Sequence, residues 1–162
     1  MSRVPAPSGV AVVTVLITVS AMNAPPAGAD NSRLNNGVLA NVYTIQHQAG
    51  CTTDIKQNLA LGLAAQRQAR DMINNRALDG DLGSDGSTPQ SRAEAGGFRG
   101  VVSQTVAINP ALAINNVDVI NRWYHDPRAF AIMSDCRNSA IGVWSENSLD
   151  RSVVVAVYGQ PV

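Results

Sequence analysis

Two histidines, two cysteines and a short aspartate-rich stretch are the side chains here whose chemistry reaches beyond packing. His125 lies between Tyr124 and Asp126, and an imidazole beside a carboxylate is the pair that acid–base or metal-assisted hydrolysis would use. Asp126 also directly precedes Pro127, which is the arrangement of a helix N-cap followed by proline at the first helical position. His47 falls near the end of an apolar-periodic stretch, where a solvated imidazole would interact with the helix dipole. Asp79, Asp81 and Asp85 are oxygen donors of the type calcium takes, but their spacing lacks the Glu that closes an EF-hand loop. Ser84-Asp85-Gly86-Ser87 resembles a nucleophile-bearing loop without the strand–Gly-x-Ser-x-Gly–helix setting, so turn chemistry is the simpler reading. Cys51 and Cys136 have no neighbouring His and no Cys-x-x-Cys motif, and an even cysteine count in an exported chain predicts that they pair.

The chain that must position these groups has 162 residues, 12 Lys+Arg against 12 Asp+Glu, and no block of like charge. That balance excludes the basic footprint a nucleic-acid binder needs. Arg3, the apolar run Val10 to Ser20 and the small residues Ala27-Gly-Ala29 read in order as the parts of a secretory signal. The apolar run has 11 residues, where a bilayer span needs about 20. Residues 1–29 are therefore expected to be a cleaved signal peptide, and residues 30–162 a single domain with no membrane span. A domain of that size buries roughly two thirds of its unfolded surface and needs no metal to fold.

Leu34, Val38, Val42 and Ile45 form one helical face between Arg33 and Gln48, ending at Gly50. A second helix is expected from Leu59 to about Asn74, with Leu61, Ala65, Ala69, Met72 and Ile73 on its apolar stripe. Thr88 and Pro89 read as N-cap and first residue of a short helix stopping near Gly96-Gly97. Val101 to Ile108 predicts a strand. Val117, Ile120 and Tyr124 repeat at helical spacing with Trp123 alongside, Trp123 and Tyr124 being expected in the core, and Pro127 opens another helix that carries Phe130 and Met133. Two β-rich runs, Ala140 to Ser145 and Ser152 to Tyr158, are expected to pair through a polar connection, Glu146 to Arg151. Helices followed by a small antiparallel sheet interrupted by a helix make the class α+β.

Several strings in order resemble the CAP superfamily, the cysteine-rich secretory, antigen-five and pathogenesis-related group, also called the SCP domain. Leu59 to Asn74 is similar to its "L..AA..hA..M" helix, and Ser84-Asp-Gly-Ser-Thr-Pro89 to the "SPDGSTP" loop of bacterial members. Arg92 with Ala95-Gly-Gly-Phe98 resembles "R...AGY", Trp123 precedes Asp126-Pro127, and Ile141-Gly-Val143 leads to Val155-Ala-Val-Tyr-Gly159 as "IGVG" leads to the closing "W.Q.FG". The resemblance implies a CAP-like α-β-α sandwich with a small antiparallel sheet between helical layers. It also implies a cleft where many members hold a divalent metal with two His and two acidic residues. Here the first His position is Asp81, the "GEN" carboxylate is Gln104, the "GHR" His is Ala129, and the remaining acid is Asp126. Gln104 cannot ionise and Ala129 has no donor, so no metal and no cofactor are expected. Asp81, Gln104, His125 and Asp126 are the candidate cleft group, expected to include at least one interacting pair. The expected function is a secreted, non-enzymatic binding domain for an extracellular protein or lipid partner. A metal-assisted, peptidase-like hydrolase using His125, Asp126 and Asp81, and a structural cell-envelope protein, are the alternatives.

Overall fold

The computed structural model describes residues 28–162. The expected signal segment lies outside the described residues as far as residue 27, and the expected cleavage point after Ala29 falls in the first turn of the first helix. In chain order the elements are α1 (Gly28–Gln48), β1 (Lys56–Gln57), α2 (Leu59–Asn74), α3 (Pro89–Ala95), β2 (Gly100–Asn109), α4 (Asn116–His125), α5 (Pro127–Met133), β3 (Ala140–Ser148) and β4 (Arg151–Pro161).

Strand β4 organises the molecule. It sits inside the four-stranded sheet, whose order is β1-β3-β4-β2, and pairs antiparallel with β3 on one side and β2 on the other. Successive side chains on a strand point to opposite faces, so the run Val153 to Tyr158 feeds two cores at once. Val153, Val155 and Val157 pack with Leu61, Ala65 and Met72 of α2, while Val154, Ala156 and Tyr158 pack with Val38 and Val42 of α1, Trp123 of α4 and Met133 of α5. Each such aliphatic side chain contributes roughly 1.5–3 kcal/mol by leaving water. The result is the expected sandwich, with α2 and α3 on one face of the sheet and α1, α4 and α5 on the other. Close approach of α2 to the sheet depends on Gly142, where a Cβ would lie 2.0 Å from the backbone nitrogen of Gly62.

Three expectations need correction. The sheet is mixed, because the short β1 pairs parallel with β3 at Lys56↔Ala140 and Gln57↔Ile141. Two residues carry no detectable periodicity. The connection expected from Glu146 to Arg151 shrinks to Leu149-Asp150, since β3 pairs with β4 as far as Ser148↔Arg151. On α4 the buried residues are Val119 and Trp123, whereas Val117 and Tyr124 are 66% and 49% exposed. The helix phase is fixed by Trp123, whose indole N–H donates to the Val106 carbonyl of β2 at 3.0 Å. Cys51, just after α1, and Cys136, just after α5, form a disulfide with Cα atoms 5.1 Å apart.

The α2–α3 connection, residues 75–88, has no regular structure, so its carbonyls need donors from elsewhere. Three buried side chains supply them from beneath. Arg151 donates to Arg76 and Leu78, Gln68 to Gly80 and Leu82, and Arg92 to Asp81 and Ser87. This strapped segment forms one wall of the cleft described next.

Candidate functional site

The cleft lies between the segment around residues 79–90, strand β2, and helices α4 and α5. Each wall is locally explained. Thr88 caps α3 by accepting from the Ser91 N–H, and the Ser91 hydroxyl accepts from the Thr88 N–H, a reciprocal capping box with Pro89 at the first helical position. On the loop just before Thr88, Asp85 accepts from the Ser87 side chain and N–H, which hold its carboxyl down at about 2. Asp126 ends α4 and caps α5, its Oδ1 accepting from the Ala129 N–H at 2.8 Å.

At the centre is a relay of hydrogen bonds. Arg92, only 3% exposed, donates from Nη1 to the Ser87 carbonyl at 2.7 Å, and from Nη2 to the Asp81 carbonyl at 2.9 Å and to Gln104 Oε1 at 3.0 Å. Gln104 is equally buried on β2 and donates from Nε2 to Asp81 Oδ1 at 3.3 Å. Asp81 Oδ2 accepts from Arg128 Nη2 of α5 at 2.6 Å. Burial pushes the Arg92 guanidinium below its ordinary pKa, with Arg67 acting in the same direction and Asp81, Asp85 and Asp71 opposing. The hydrogen bond and charge of Asp81 hold Arg128 above its ordinary value.

The four positions that the resemblance matches to the family's metal-ligand set, Asp81, Gln104, Asp126 and Ala129, all line one cavity of about 290 Å³, with Trp123 beside them. Of the predicted site residues, Asp81 and Gln104 are in direct contact, and Asp126 lines the same cavity while capping α5. His125 does not join them. Its Nδ1–H donates to the Asn121 carbonyl of its own helix at 2.8 Å and its ring meets Tyr124 edge-on, which turns it away from the cavity. His47 is likewise peripheral, with Nε2 3.1 Å from Asp54 Oδ1 near the end of α1.

Of the two guanidinium groups central to the site, Arg92 stood in a quoted motif and Arg128 in none, and neither offered a sign of its role, because their partners lie on other elements. The donor set does not fit a divalent cation. Both Asp81 oxygens accept from protein N–H groups, the Gln104 oxygen is taken by a guanidinium, and Ala129 supplies nothing. Among the described residues no three His, Cys, Asp or Glu side chains converge on one point. What the arrangement offers is a rigid, oriented carboxylate at the boundary between a buried and an exposed guanidinium.

Comparison with known proteins supports the frame on which this site is built. The model of the CAP family, described as the cysteine-rich secretory protein family, matches residues 41–158. No curated protein matches. Among solved structures, an outer surface protein from Borrelia burgdorferi superposes with a TM-score of 0.66 at 16% identity, covering 77% of this chain and 90% of that one. An extracellular protein containing an SCP domain from Bacillus anthracis gives 0.65 at 11% identity, covering 85% of this chain and 45% of that one. NaASP2, whose structure was solved with Zn2+, gives 0.57 at 10% identity, covering 84% and 83%.

Proposed function

Because this chain belongs to the cysteine-rich secretory protein (CAP) family, and its cleft carboxylate is held by amide and guanidinium groups, we propose that it is an exported, non-enzymatic domain that binds an extracellular protein partner through that cleft. The observation that carries this reading is Asp81, with both carboxylate oxygens hydrogen-bonded and one of its two partners buried. A carboxylate so fixed is a recognition group: it presents charge in a set direction.

Metal-assisted hydrolysis lacks support from the same geometry, since His125 is turned onto Asn121 and Asp126 is occupied as a cap. A protein partner is favoured over a lipid because the cavity is lined mainly by Asp79, Asp81, Gln104, Arg122, Asp126 and Arg128, whereas lipid sites are predominantly apolar. Export rests on the signal-like segment at residues 1–29. The Cys51–Cys136 disulfide, relatives that are outer-surface or extracellular proteins, and the lack of any described helix long and apolar enough to cross a membrane fit an extracellular location.

The test places a photo-crosslinking side chain at Ile132, in the cleft, and in a separate variant at Leu149, which is 89% exposed on the β3–β4 turn. Illumination in the host's own medium and envelope fraction should yield a defined protein adduct from position 132 and none from 149. A phospholipid adduct at 132 would replace the protein partner with a lipid. Turnover of peptide or ester substrates that is lost in His125→Ala would overturn the non-enzymatic reading.

A further inference from the structure

Asp81 is gripped from two sides that differ sharply in freedom. On the inner side Gln104 donates to one oxygen and is itself oriented by Arg92, each of the two being 3% exposed. On the outer side Arg128, with 73% of its side chain in solvent, reaches over to the other. Asp81, Gln104, Arg128 and Ile132 line both the 290 Å³ cavity and a second one of about 580 Å³ beside it. The Asp81–Arg128 pair therefore stands as the partition between two compartments of one groove. An ion pair with so exposed a partner is weak, worth at most a factor of about five in an equilibrium.

We propose that Arg128 is a self-ligand, occupying on Asp81 the place of a basic side chain, arginine or lysine, presented by the partner. When that side chain arrives, Arg128 swings into solvent and the two compartments join into one groove able to take an extended segment. The charges facing the first cavity agree with this. Without Arg128 they are Asp79, Asp81 and Asp126 against Arg122, and Arg122 is already bonded to the Ile108 carbonyl and Asn109 Oδ1. The face left behind is anionic, a setting that favours a cation electrostatically. In the second cavity Arg137 is paired with Asp135, so it adds no competing positive field. An anionic ligand would have to displace Asp81 from Arg128 while facing the other two carboxylates.

This inference deepens the binding reading and rests on it. The test titrates the exported protein with two blocked tripeptides, Ac-Gly-Arg-Gly-amide and Ac-Gly-Glu-Gly-amide, followed by amide shifts in NMR spectra. The arginine peptide should perturb Asp81, Gln104 and Trp123. Its affinity should rise about two- to fivefold in Arg128→Ala, because the internal competitor is gone. It should fall at least about tenfold in Asp81→Asn, which keeps an oxygen for Gln104 but loses the charge. Unchanged melting temperatures would show that both variants fold. Failure of Arg128→Ala to tighten binding, or preference for the glutamate peptide, overturns the proposal. If a protein is crosslinked at position 132 and the arginine peptide does not compete with it, the self-ligand is wrong and the binding reading survives. If the peptide shows the expected variant pattern but no protein is captured, Asp81 is a subsite for a basic side chain and the protein partner is what falls.

Discussion

The two ends of the α2–α3 connection are each held down by a buried arginine, and only one of them has a cleft above it. At the β4 end, Arg151 reaches the carbonyls of Arg76 and Leu78, and that completes its contacts. At the α3 end, Arg92 reaches the carbonyls of Asp81 and Ser87 in the same manner, then adds the Ser87 hydroxyl and the Gln104 side chain. In both residues Nε is buried without a partner, so both are bound through the outer edge of the fork. The shared part is scaffolding: a guanidinium supplies several donors in a fixed plane to loop carbonyls that have no ladder of their own. The difference is a single acceptor, Gln104, which passes the orientation on to Asp81. The candidate cleft is thus an extension of a structural staple, and a buried cation in this fold does not by itself signify chemistry.

That comparison breaks most directly at the arginines themselves. Arg92→Met leaves four acceptors without their donor and should cost about 4 kcal/mol in urea denaturation, while Arg151→Met leaves two and should cost about 2. Equal losses would show that acceptor number is not what separates the ends. A smaller change sharpens the contrast. Gln104→Leu removes one buried acceptor from Arg92 and should cost about 1–2 kcal/mol, freeing the Asp81 side chain in NMR spectra while leaving the shifts of residues 76–78 in place. The same substitution at a scaffolding-only site would move stability alone.

The smallest expected effect is acid sensitivity, present at both ends. Asp85 pairs with Arg67 near the cleft, and Asp150 with Arg76 at the other end. Asp85 is held down at about 2, chiefly by hydrogen bonds from Ser87, and Asp150 is lowered by the hydrogen bond from Arg76. A carboxyl whose folded pKa lies below its unfolded value near 3.9 binds more protons when unfolded. Its contribution is therefore complete above the unfolded pKa and is lost as the pH falls through the folded one, which for Asp85 is about 2. Both groups are exposed, so the effect is modest. Thermal unfolding between pH 5 and 2 should fall less steeply in Asp85→Asn and in Asp150→Asn than in the parent.

The fold was largely legible from local signals. Thr88-Pro89 gave the start of α3 because cap chemistry is local, and the valine run gave β4 because a strand buried on both faces is apolar throughout. On α4 Trp123 is in the core as expected and Tyr124 is not, because the helix's burial is set by Trp123 meeting the Val106 carbonyl, a contact across 17 residues. At the site, the order of motifs located Asp81, Gln104 and Asp126, but sequence adjacency misplaced His125. At the last residue of α4 its side chain leans back toward the preceding turn, as helical side chains do, and finds the Asn121 carbonyl. The straps made by Gln68, Arg92 and Arg151 left no trace, since their partners are mostly backbone carbonyls, a group every residue carries.

The link between Cys51 and Cys136 has a consequence for survival under proteolysis. It closes 85 residues of sequence separation into a covalent ring that contains β1, α2, α3, β2, α4 and α5, and with them every residue lining the first cavity. A protease cutting the exposed stretch at Leu112, between β2 and α4, would open the ring without releasing a piece. The strand and the helices that face each other across the groove would stay joined through sulfur, and the two fragments would part only under a reductant. Damage that would dismantle an unlinked domain leaves this one nicked and whole.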